Sequence, residues 1–81
     1  MTISRDEART TLKRVFLEVF DDDTLLISDA LVREDLDAWD SLGHMRLVYA
    51  TEEAFSVSFT IDEIEAMTSV SRILDMIVEK S

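Results

Sequence analysis

The chain has 81 residues, with 18 acidic side chains against 8 basic ones and a formal net charge of −10. That balance excludes nucleic acid and anionic membrane surfaces as partners, because both require Lys and Arg to neutralise phosphates, and it favours basic partner surfaces. With no cysteine there is no disulfide framework and no thiolate metal site, so any thioester chemistry needs a thiol from a prosthetic group.

A chain this short forms one domain, here residues 1–81, and buries only about 60% of its unfolded surface. It can scaffold something on its surface more easily than enclose a deep pocket. The absence of proline and the single glycine suit helices. The excess of like charge opposes compactness, so added salt is expected to raise the melting temperature. Thermal melts across a salt series check this, and a flat response would contradict it. Neither a signal peptide nor an apolar run of the ~20 residues needed for a membrane span is visible, which predicts a cytoplasmic protein.

Ser4-Arg5-Asp6-Glu7 fits a capping box, and Ala8, Leu12, Val15, Phe16 and Val19 follow at helical spacing. Residues 4–20 are therefore an amphipathic helix, with Arg5, Arg9, Lys13 and Arg14 expected on a solvated face. Leu17 falls outside the stripe. Asp21-Asp22-Asp23 ends this helix against its dipole. These acids do not open a calcium loop, since Leu25 and Leu26 stand at positions 5 and 6, where an acidic ligand and the glycine are required.

Residues 21–40 form a long connection that carries Leu25, Leu26, Ile27, Leu31, Val32, Leu36 and Trp39, so it must lie along the bundle, with Ser28–Leu36 able to form a short helical turn. Trp39 either anchors the loop end in the core or offers a partner an exposed aromatic face. Asp40 is then an N-cap candidate and Ser41 the first residue of a second helix running to about Ser56. At that position free N–H groups and the positive end of the helix dipole favour an anion.

In this helix Leu47, Val48, Thr51 and Phe55 form a core stripe, while Leu42, Met45 and Tyr49 form a neighbouring apolar line. So wide an arc is hard to bury in a thin bundle. Met45 and Tyr49 are read as partly exposed partner contacts, the alternative being that both complete the core. Gly43 is expected to weaken the first turn by up to ~1 kcal/mol relative to alanine. Phe55-Ser56-Val57-Ser58-Phe59 alternates but has no strand to pair with, so it reads as an extended connection turning Phe55 and Phe59 inward. Thr60-Ile61-Asp62-Glu63 is a second capping box opening a short helix through Ala66. Thr68 or Ser69 caps a last helix with Val70, Ile73, Leu74 and Ile77 inward and Arg72, Asp75, Glu79 and Lys80 facing water. The predicted fold is all-α, a small four-helix bundle of three main helices and one short one with a long first loop.

Leu36-Asp37-Ala38-Trp39-Asp40-Ser41-Leu42-Gly43-His44-Met45-Arg46-Leu47 resembles the acyl carrier protein family, in particular stand-alone carriers of specialised pathways. The resemblance follows the element order of the whole chain, with residues 36–47 as its specific motif. It implies that the Ser41 hydroxyl receives phosphopantetheine from coenzyme A through a phosphopantetheinyl transferase, with Asp40 assisting transfer. The thiol of the arm would hold acyl or aminoacyl groups as thioesters for a loading enzyme and for downstream enzymes of a lipid, polyketide or other biosynthetic pathway. The protein would act as a monomer without catalytic activity of its own, and an apolar interior able to admit an acyl chain would be functional.

Partner contacts are expected at Leu42, Met45, Arg46, Tyr49, Glu52 and Glu53. Fatty-acid carriers bear acids along this helix close to the serine; here stand Gly43, His44 and Arg46, which points to partners of another pathway. Aminoacyl and peptidyl carriers often differ beside the serine, so Asp40 and Leu42 lean towards the acyl type. An acidic helical adaptor without a prosthetic group is a further alternative. A Ser41-His44-Asp40 hydrolase is not supported, because a carboxylate one residue before the nucleophile cannot easily orient His44. His44 is expected at the surface or against a partner.

Overall fold

The computed structural model describes residues 3–21 and 27–80; Asp22, Asp23, Leu25 and Leu26, to which the loop reading assigned roles, lie outside the described residues. Helix α1 spans Arg5–Phe20, α2 Ser41–Phe55, α3 Ile61–Ala66 and α4 Val70–Lys80, with a 3₁₀ turn at Arg33–Asp35 in the long first connection. This is the predicted all-α bundle of three main helices and one short helix. No helix among the described residues is long and apolar enough to cross a membrane.

The amphipathic stripes meet where their periodicity directs them, with α1 packing against both α2 and α4. Ala8, Leu12, Val15 and Phe16 from α1, Leu47 and Val48 from α2, and Val70, Ile73, Leu74 and Ile77 from α4 are buried in one cluster. Met67 and Phe59 close it from the connections. Thr51 is also fully buried, and its Oγ1 donates to the Leu47 carbonyl at 2.7 Å, which removes the cost of an unpaired hydroxyl.

The helix ends are set by local chemistry. Ser4 caps α1 by accepting from Glu7 N at 3.1 Å. Asp21 and Ser56 end α1 and α2 in the left-handed conformation at φ 50° and 55°, each donating its N–H to a carbonyl of the last turn. Thr60 and Glu63 form both halves of a capping box on α3. Ser69 is the cap of α4, accepting from Arg72 N at 3.1 Å. The Phe55–Phe59 segment is a connection, as expected, with Phe59 buried, Phe55 half-buried against the core, and Phe59 N donating to Glu52 Oε2 at 2.8 Å.

The long connection does lie on the bundle. Arg33 N donates to Thr68 O and Val70 N to Leu31 O, both at 2.9 Å, around an isolated Val32–Ser69 bridge that ties the loop to the α3–α4 junction. Its earlier part is held by charge. Arg9 grips Asp29 with two donors, at 2.7 and 3.0 Å, and Arg5 reaches Asp29, Asp75 and Ser71. The expectation of a purely solvated basic face is therefore corrected for Arg5 and Arg9: besides Asp6 one turn from Arg9, their partners Asp29, Ser71 and Asp75 stand 20 or more residues away and leave no trace in local periodicity. Lys80 likewise bridges to Glu63 at 2.9 Å, binding α4 to α3.

The hydrogen bonds from Arg9, above all, hold the Asp29 carboxyl below the usual carboxylate range. A carboxyl whose folded value is depressed adds stability above its unfolded value, near pH 4, and that stability vanishes as pH falls through the folded value. Asp29→Asn is therefore expected to lower the melting temperature by a few degrees at neutral pH, an effect kept small by solvent screening. The gap to wild type should close below about pH 4. Parallel thermal melts at several pH values check both the sign and the window.

Candidate functional site

The loop-to-helix junction at residues 38–44 is built around a buried tryptophan. Trp39 is 2% exposed and meets the Phe16 ring edge-on, with centroids 5.3 Å apart. This selects the anchoring reading of Trp39. An indole N–H buried this deeply needs an acceptor, and Nε1 donates to His44 Nδ1 at 2.8 Å. Because indole can only donate, Nδ1 is unprotonated and the ring proton sits on Nε2, which donates to the Ile64 carbonyl of α3 at 2.7 Å.

His44 is thus 5% exposed with both nitrogens engaged, which corrects the expectation of a surface or partner-contact histidine. The same occupancy leaves neither nitrogen for use as a base by Ser41. Its decisive partner lies 20 residues downstream. The sequence signal that could have found it is the spacing to Trp39, five residues before, which needs a buried acceptor.

Gly43 also departs from expectation. A Cβ there would stand 2.2 Å from the Ala38 carbonyl oxygen and 3.0 Å from the Phe20 ring. The missing side chain lets the loop backbone and α1 close onto the first turn of α2, so its packing role outweighs its poor helix propensity.

With the junction fixed this way, Asp40 adopts an extended backbone and caps α2, its Oδ1 accepting from Gly43 N at 2.8 Å. Ser41 is exposed and occupies the first helical position. The N–H groups of Ser41 and Leu42 have no intrahelical acceptor, and no acidic residue stands within the first turn. A covalently attached phosphate suits this place: the oxygen is accessible, the local dipole is positive, and Asp40 keeps one carboxylate oxygen outside the cap bond.

Beside Ser41 opens a groove of about 340 Å³ between α2 and α3, walled by Ser41, His44 and Met45 on one side and Ile61, Ile64 and Glu65 on the other, with Arg33 at its edge. Arg33 is oriented by its Nε–H, which donates to the Trp39 carbonyl at 3.0 Å. The α3 contribution and Arg33 were not foreseen, since nothing local relates residues 33 and 61–65 to Ser41. A wider hollow of about 460 Å³ between α1 and α2, bordered by Arg14, Glu18 and Glu53, lies three turns down α2 from the serine.

The remaining residues singled out as partner contacts divide. Leu42 and Tyr49 are 66% and 63% exposed, Arg46 and Glu53 are exposed, and Met45 is half-buried on the groove wall. Glu52 is half-buried, with one oxygen engaged by Phe59 N. Ile61, 76% exposed at the start of α3, adds an apolar side chain that was not singled out.

Comparison with known proteins agrees with this architecture. The chain is 42% identical over 52 residues to an acyl carrier protein of Buchnera aphidicola, a match covering 64% of this chain and 65% of that relative's length. It is 38% identical over 58 residues to an acyl carrier protein of Rubrobacter xylanophilus, covering 72% of this chain and 70% of the relative. The chain belongs to the acyl carrier protein family. The solution structure of a holo acyl carrier protein from Geobacter metallireducens superposes on this carrier with a TM-score of 0.83 at 32% identity, covering 90% of this chain and 84% of that one. No family model matches the carrier's sequence.

Proposed function

We propose that the chain carries acyl groups on a phosphopantetheine arm attached to the Ser41 hydroxyl. The observation that supports this most strongly is the exposed Ser41 at the first position of α2, capped by Asp40 and opening onto an adjacent groove. The bound arm supplies the thiol that this cysteine-free chain lacks. Ser41 provides the attachment oxygen, the first turn of α2 stabilises the phosphate, and Asp40 assists the transferase. Tethering raises the effective concentration of the cargo at each partner enzyme, so the protein itself need not catalyse a reaction.

Partner enzymes are expected to dock on the face formed by Leu42, Met45, Arg46 and Tyr49, with Glu53 below and Glu52 contributing only its second oxygen. Positions 42, 45, 46 and 49 share one side of a helix. Large exposed apolar side chains on so small a domain mark an interaction surface. Arg46 is the charged member of that face nearest the serine, so the partner surface opposite it is neutral or acidic, with basic groups placed to meet the acids lower down. The apolar side chains of Met45, Ile61 and Ile64 in the groove favour an acyl cargo over an aminoacyl one. Cytoplasmic biosynthesis of a lipid, polyketide or related product is the setting proposed.

Incubation with coenzyme A and a promiscuous phosphopantetheinyl transferase should add the mass of one arm to the wild-type chain and nothing to Ser41→Ala. Measurement of intact mass decides, and an unmodified wild type across several transferases would favour the adaptor reading instead.

A further inference from the structure

Helix α3 is six residues long and contains no fully buried side chain, yet it forms one whole wall of the groove beside Ser41. A helix this short does not hold itself. Its capping box is internal to it, and the Lys80–Glu63 bridge ties it to the far end of α4. The bond from His44 Nε2 to Ile64 O is different in kind, because it runs from one wall of the groove to the other. At its opposite edge the same ring is held by Trp39, which is itself seated on Phe16 in the core.

We infer that His44 is the positioning residue of this groove: as a strut between Trp39 and the Ile64 carbonyl, it sets where α3 stands and thereby how much of a cargo borne on Ser41 is sheltered from water. The sheltering part of this inference rests on the carrier reading of Ser41; the strut itself does not. The chemistry of the strut demands a neutral ring. Nδ1 must accept from the indole while Nε2 donates to the Ile64 carbonyl, so a side chain that lacks the donor releases α3 and one that lacks the acceptor releases Trp39. Arg33 from the 3₁₀ turn and Glu65 from α3 share the groove with His44. The sequence holds no cysteine and no second histidine that could compete for the role.

The test uses the full chain in wild-type form and as His44→Leu, which fills the space without donors, and His44→Gln, which retains one donor and one acceptor. The single tryptophan gives one indole N–H resonance to follow. In His44→Leu the amides of residues 64–66 should exchange with solvent about tenfold faster, the worth of one hydrogen bond, while those of α1 and α4 keep their protection; His44→Gln should recover part of it. The indole N–H resonance should move in His44→Leu, which removes its acceptor, and return part-way in His44→Gln. Loaded with acetyl and octanoyl groups from the corresponding coenzyme A thioesters, the wild type should resist hydroxylamine several-fold better in the octanoyl form, and His44→Leu should lose that difference.

Unchanged exchange at residues 64–66, or equal loss of protection in all helices, would overturn the strut. Intact exchange behaviour with no loading of any variant would instead overturn the carrier reading alone. Loading with identical hydroxylamine sensitivity in wild type and variant would remove the sheltering role.

Discussion

Gly43→Ala is expected to lower the melting temperature by about 10 °C, although alanine is the better helix former. The propensity gain is about 1 kcal/mol. Against it stands a methyl group placed 2.2 Å from a backbone carbonyl oxygen and 3.0 Å from the Phe20 ring. Overpacking of this sort costs up to about 3 kcal/mol, and here the obstructing atom is loop backbone, which cannot rotate aside like a side chain. The net loss of about 2 kcal/mol corresponds to that temperature shift in a domain of this size. The same displacement pushes Ala38 away from α2, so Asp40 loses its cap geometry and loading of Ser41 should slow. Thermal unfolding and transferase kinetics on one variant check both effects. A rise in melting temperature would mean that the loop yields without cost and that propensity governs the site.

Trp39→Ala should be more damaging still, at about 4–6 kcal/mol. Removing a buried tryptophan costs about 3–5 kcal/mol through lost packing and the cavity left behind, and His44 Nδ1 would lose its donor in a buried place, adding about 1 kcal/mol or more. A domain of this length has a total stability of only about 4–12 kcal/mol, so the alanine variant is expected to be largely unfolded near body temperature. Trp39→Phe separates the two contributions. It retains an aromatic body against Phe16 and removes the indole donor, so it should cost about 1–3 kcal/mol. Urea titration measures both. A near-neutral Trp39→Ala would show that the loop end is not anchored through this ring.

Much of the fold is legible because it is encoded within single turns. The stripes of α1, α2 and α4 repeat at the helical period, and the boxes at Thr60 and the caps at Asp40 and Ser4 lie within three residues of the groups they satisfy. Ser41 is legible for the same reason, since its exposure follows from its place after a cap. What escapes is everything that depends on two distant segments meeting. His44 needs Ile64, Arg9 needs Asp29, and Glu52 needs the Phe59 N–H beyond the helix end. Gly43 is misjudged from propensity alone because the reason for a glycine there is the approach of Ala38 and Phe20. Leu17, outside the stripe of α1, is half-buried, and nothing in the structure explains why a leucine stands there. The groove shows the same pattern. Its α2 wall follows from the cap and the helical period, whereas its α3 wall depends on how a six-residue helix is held against the bundle.

On the proposed function, the Ser41 oxygen at the electropositive start of α2 is a covalent attachment point. Fragment-ion mapping of the chain, purified from cells that co-express a broad-specificity phosphopantetheinyl transferase, tests it most directly. A single phosphopantetheine mass is expected on the peptide containing Ser41, with fragments that place it on that residue. An unmodified Ser41 in cells where another carrier is fully loaded, or the arm on a different side chain, would contradict it.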